Sequence, residues 1–210
     1  MNDQRKLVNQ QLKLVLPRIE LAPIRTKYRS EGLDLYSDAA KIGRLGIAFA
    51  TKKFAEGDGL FTMYTVCSMD GGVVIESVKN LKLSFPNFFH VNHFFGFSTL
   101  NFRSELFGKS GKIDISAKDN IPAVCEGIFQ KIQEVFVPPI LNIFNGNLLA
   151  IEDIFQTPRN YGFPFAYLAT IFKLNNKEDM IPGIIKRAQE AKLYDATEVR
   201  IAEILSKLKN

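Results

Sequence analysis

Tryptophan is absent from this chain, and cysteine and histidine occur twice each. No apolar run approaches the roughly 18 to 20 residues that a membrane-crossing helix needs. The longest apolar pieces are broken by Asn, Lys or Pro, so no membrane span is expected. Cys67 and Cys125 stand 58 positions apart and belong to no CxxC pair, which excludes a zinc ribbon and a dithiol redox motif. Among apolar neighbours each reads first as a small buried thiol, with a disulfide or a nucleophile as lesser readings. His90 and His93 are the only imidazoles. With no HExxH, no third His and no Cys pair, a tetrahedral metal set cannot be completed, and neither metal nor cofactor is expected.

Catalytic signatures are missing as well. There is no GxSxG, no SxxK, and no Cys with a His close in sequence. GKSGK at 108–112 lacks the spacing and the following helix of a phosphate-binding loop, and reads as a turn. Acidic pairs are few: Glu56 with Asp58 in a turn, Glu152 with Asp153, and Glu178 with Asp179, where a helix dipole alone accounts for the charge. A non-enzymatic protein is the expectation.

What is present is a large store of apolar material. The chain has 210 residues, 46% of them hydrophobic, and 18 are Phe, which buries area without a polar atom to satisfy. The net charge of +5 is concentrated. Residues 1–30 carry seven basic groups against two acids, while the rest is balanced. Any anionic partner should therefore meet the amino-terminal segment, and a general nucleic-acid surface is not implied. MNDQRKLVNQQ has an early acid and polar residues where a signal peptide needs an apolar core, so a cytoplasmic location is expected.

Periodicity gives an α+β fold. Leu7, Val8, Leu12, Val15 and Leu16 fall at helical spacing over 4–16, and Pro17 ends the pattern. Residues 22–41 read as a connector with one short element at 34–41. RLGIAFATKKF, the EGDG turn at 56–59 and GLFTMYTVCS then form a hairpin. MDGG gives a second turn, the β-branched VVIESV and the alternating NLKLSF read as strands, and Ile113 with Ile115 marks another. The expectation is a five- to six-stranded antiparallel meander.

From Lys118 the period returns to helix, with Asp119 or Asn120 as cap and a bend or break at Val137-Pro138-Pro139. A shorter helix follows to Phe144, NGN at 145–147 turns the chain, and helices follow at 148–155, 164–174, 177–193 and 197–209, the last capped by Asp195 or Thr197. The expected organisation is one α+β domain over 1–210: helix and connector to 43, antiparallel sheet over 44–117, and a carboxy-terminal helical layer with a terminal helical hairpin from 118.

FPNFFHVNHFFGF at 85–97 holds both histidines. On a helix their i, i+3 spacing would share a face; the Phe-rich, β-branched sequence favours a strand, which sends them to opposite faces. Phe88, His90 and Phe94 then make an aromatic-polar patch that must meet the protein's own helices or a partner.

The succession QKIQEVFVPPILNIFNGNLLAIEDIF and FAYLATIFKLNNKEDMIPGIIKRAQ resembles, in layout and without a diagnostic motif, small bacterial proteins of the toxin-immunity type. That resemblance implies a cytoplasmic, non-catalytic protein that binds and neutralises a cognate protein toxin, and it carries over no catalytic residue. The basic charge speaks against a nuclease as the toxin. Partner-binding candidates are the cations Arg5, Lys13, Arg18, Arg25, Lys27 and Arg29, the hairpin acids Glu56 and Asp58, and Phe88, His90 and Phe94. The alternative is an adaptor for nucleic acid or another anionic surface, using the basic amino-terminal helix.

Overall fold

The computed structural model of the chain describes residues 2–50, 61–89, 94–98, 112–116 and 118–209. Glu56, Asp58, His90, His93 and most of GKSGK lie outside the described residues. In chain order, α1 is Asn2–Val15, followed by strands β1 (Arg25–Arg29), β2 (Gly32–Ser37), β3 (Ala40–Ala50) and β4 (Phe61–Met69). Then come α2 (Val73–Asn80), β5 (Phe95–Ser98), β6 (Ile113–Ile115), α3 (Ile121–Lys131) and α4 (Val137–Asn145). The last helices are α5 (Ala150–Gln156), α6 (Pro164–Leu174), α7 (Ile181–Glu190) and α8 (Glu198–Leu208). The fold is α+β: an amino-terminal helix, a six-stranded antiparallel sheet whose first four strands form a meander, and a carboxy-terminal helical region. No single helix among the described residues is long and apolar enough to cross a membrane.

Contacts divide the chain into two compact units, residues 1–68 with 97–138, and residues 69–96 with 139–210. In the first unit, Val8, Leu12 and Val15 recur at helical spacing and are buried along α1, which packs on α3 beside Cys125 and Ile128. Leu7, expected on that stripe, instead faces outward with Leu14. The sheet follows the order β1-β2-β3-β4-β5, and β6 pairs with the start of β4, Phe61 opposite Ile115. Leu33, Leu35 and Leu45 share its inner face and are buried. The short element expected at 34–41 overlaps β2, but the connector holds a second strand, β1. The expectation missed β1 because five polar residues in RTKYR hide the period of a strand with no apolar face.

The second unit is built around α6, where every residue from Pro164 to Phe172 is buried. A helix apolar all round belongs at a centre, and α2, α5, α7 and α8 each pack against it. VVIESV is helix, not strand. Val74, Ile75 and Val78 are buried while Glu76 pairs with Lys79 on the outside, so helical burial overrides β propensity. NLKLSF is not a strand either. Lys82 takes φ 48°, and Ser84 bonds Glu203 of α8 through its N–H (2.7 Å) and hydroxyl (2.6 Å).

Nor do Pro138 and Pro139 break the chain into separate helices. A π turn over Ile132–Phe136 carries α3 into α4, and the Val137 N–H bonds the Ile132 carbonyl just before the two residues that lack a donor. Among the described residues of the Phe-rich stretch, strand begins at Phe95 (Phe95–Ser98), and Phe88 and Phe89 form a turn.

Candidate functional site

The β1–β2 hairpin closes through a two-residue loop in which Ser30 (φ 45°) and Glu31 (φ 68°) are both left-handed, as a turn matched to strand twist requires. Neither residue is glycine, so the turn needs support. Arg44 of β3 supplies it, donating to the carbonyls of Arg29 (2.8 Å) and Ser30 (2.7 Å) and to Asp34 Oδ1 (2.9 Å). Its guanidinium can lie there because Gly32 and Gly46 stand directly opposite each other, and a Cβ on Gly32 would come within 2.7 Å of the Gly46 Cα.

The register places Arg25, Lys27 and Arg29 at alternate positions of β1 on the sheet's outer face, all exposed. Lys27 lies opposite Asp34, Asp34 opposite Arg44, and Tyr36 opposite both Arg25 and Lys41. Five cations therefore share this face with one carboxylate, which two of them, Lys41 and Arg44, contact. Asp34 is only 4% exposed, and Lys41 Nζ and Arg44 both sit 2.9 Å from its Oδ1. Burial alone would push that carboxyl up; the bonds from Lys41 and Arg44 outweigh it and hold it below its ordinary value. Asp34 is already engaged by β3, and no acidic partner of Arg25, Lys27 or Arg29 occurs among the described residues. A row of like charges side by side is mildly destabilising in a sheet. It is suited to receiving negative charge from outside.

The other amino-terminal cations are placed differently. Arg5 pairs with Glu31 at 3.2 Å and lies 4.5 Å from the Phe49 ring centroid. Arg18 forms two parallel bonds to Glu126 (2.7 and 3.0 Å) and covers the Phe129 ring at 4.4 Å. These two fasten structure together, and the bonds from Arg18 hold the Glu126 carboxyl below its ordinary value. Lys13 is exposed on α1.

Phe88 and Phe94 belong to an aromatic cluster of the second unit. Phe88 packs on Phe89 and Tyr194, Phe94 on Phe163, and Phe85 edge-on against Phe163 and Tyr194. Arg200 lies over the Phe85 ring at 4.8 Å and the Tyr194 ring at 5.0 Å. Phe94 is half-buried against the Phe163 ring and the Lys79 ammonium, while Phe88 remains 39% exposed. Beneath the cluster Asp195 is fully buried and accepts from the N–H groups of Phe165 (2.9 Å) and Ala166 (3.0 Å), capping α6 instead of the last helix. Burial pushes its carboxyl up to about 6, against the pull of those N–H groups and Arg200.

Cys67 and Cys125 are free and buried, and burial pushes the Cys125 thiol up to about 11 and Cys67 higher still. Neither is poised as a nucleophile. Among the described residues no group of three or more His, Cys, Asp or Glu is placed to hold a metal ion.

Sequence reasoning found Arg25, Lys27 and Arg29 by charge but missed Tyr36, Lys41, Arg44 and Asp34, which complete the face. Alternation in RTKYR, a two-residue SE loop and GLDLYS together were the signal. Asp195 was expected to cap the last helix, but its partners Phe165 and Ala166 lie 30 and 29 positions away, and Arg200 was missed as a ring-bound cation. No protein-family model, curated protein or solved structure matches this chain.

Proposed function

We propose that this chain is a non-catalytic binding protein of the immunity type, which docks on an acidic surface of a cognate protein toxin in the cytoplasm and neutralises it. The observation that carries the reading is the exposed row Arg25, Lys27, Arg29, which has no acidic partner among the described residues and is flanked on the same sheet by Lys41 and Arg44. Charge presented in this way raises the association rate and selects acidic partners. The layout of helix, sheet and helical region agrees with the same reading.

The test is co-expression with the product of the adjacent gene, scored by growth and by co-purification. The wild-type chain should protect and co-purify, and Arg25→Glu/Lys27→Glu/Arg29→Glu should do neither while keeping its circular dichroism. Full protection by the triple variant would remove the basis of the proposal. A second reading, an adaptor for nucleic acid or another anionic surface, draws on the same row. It requires binding to a single-stranded oligonucleotide whose logarithmic salt slope is about −2 for three neutralised phosphates.

A further inference from the structure

We infer that β1 is an open edge that accepts an extended acidic segment of the partner as a seventh strand. The inference rests on the protein-binding reading above and specifies its chemistry. Among the described residues β1 pairs with β2 alone and ends the strand order. In a two-residue hairpin the flanking residues Arg29 and Gly32 exchange main-chain bonds, so the alternation assigns Arg29, Lys27 and Arg25 to bonds with β2. The N–H and C=O groups of Thr26 and Tyr28 consequently point away from the sheet, and no hydrogen bond to them occurs among the described residues. Among the described residues, then, two donors and two acceptors are left without a partner on an edge whose intervening side chains are three exposed cations.

An antiparallel strand laid on this edge would pair main-chain groups with Thr26 and Tyr28, and its alternate residues would stand beside Arg25, Lys27 and Arg29 on the outer face. Glu or Asp at those alternate positions matches the row one to one. A second copy of this chain would instead bring Arg and Lys against Arg and Lys, so the same charges discourage self-pairing at an otherwise open edge. A phosphate chain satisfies the cations but leaves the donors and acceptors of Thr26 and Tyr28 unused, which favours the peptide.

The probe is a fluorescein-labelled nine-residue peptide alternating Thr and Glu, titrated into the full chain and read by anisotropy. Two further peptides carry N-methyl groups, one on its Thr nitrogens, which face β1, the other on its Glu nitrogens, which face away. Strand addition predicts affinity lowered about tenfold or more by Thr methylation and by less than about threefold by Glu methylation, since only the first removes bonds. Amide exchange at Thr26 and Tyr28 should slow in the complex. Equal binding of all three peptides would overturn strand addition while leaving charge-driven docking intact. No peptide binding, or binding of an oligothymidylate in preference to the peptides, would overturn it as well, the latter in favour of the anionic-surface reading.

Discussion

Replacing Asp195 tests the core of the second unit, because its carboxylate occupies the head of a helix that water cannot reach. Phe165 and Ala166 are buried, and their N–H groups bond to Asp195 oxygens at 2.9 and 3.0 Å. At an exposed N-cap, loss of the side chain costs about 1 kcal/mol because water replaces it. Here Asp195→Ala strands two buried donors, each costing about 1 to 3 kcal/mol, for a total on the order of 3 kcal/mol. The cost depends on pH in an unusual direction. The carboxyl titrates at about 6 in the folded chain against an ordinary 3.8, so the folded state keeps a proton that the unfolded chain has released. Stability from this group is complete below pH 3.8 and is lost as pH rises through about 6, a change on the order of 3 kcal/mol.

Asp195→Ala should therefore be most destabilising near pH 4 and progressively less so toward pH 7.5, and Asp195→Asn, neutral throughout, should overtake the wild type as pH rises. Urea unfolding of the three proteins at both pH values, with amide exchange along α6 as the local probe, reads the differences; the other carboxylates are common to all three and cancel. A cost below about 1 kcal/mol for Asp195→Ala at pH 4 would refute the capping argument. Differences that do not change with pH would refute the displaced titration.

Arg44→Ala should destabilise the first unit by about 2 kcal/mol, since it removes charge-assisted bonds to Asp34 and the turn carbonyls; denaturant unfolding with hairpin exchange rates measures it. Gly32→Ala should cost about 1 to 3 kcal/mol because its Cβ meets backbone at 2.7 Å, whereas Gly127→Ala, with nothing within 4 Å in the middle of α3, should stabilise by about 0.5 to 1 kcal/mol. Native protein should leave both thiols unreactive toward a thiol reagent until denaturant is added, with Cys125 reacting alongside loss of the α1–α3 packing.

Local chemistry made several elements legible. Pro17 ended α1, the apolar density of PFAYLATIFKL located α6, and Ile113 with Ile115 marked β6, each within a residue or two of its bounds. Of the face, the cations of β1 were visible as charge, but their alternation on one edge strand was not recognised. Elements failed where burial came from distant neighbours. Val74, Ile75 and Val78 adopt helical spacing because α6 takes up that face, and Lys82 to Ser84 bond α8 instead of a strand.

The sequence by itself determined the fold class, the helical and sheet segments with strong periods, and the amino-terminal excess of positive charge, since these depend on spacing and composition along the chain. Only the tertiary structure decided which cations remain available. Arg5 and Arg18 are matched by Glu31 and Glu126, acids 26 and 108 positions away, while Arg25, Lys27 and Arg29 lie on β1, which ends the strand order and has no acidic partner for them among the described residues. Ion pairing and strand order are long-range properties, and no local pattern encodes which carboxylate will arrive beside which guanidinium.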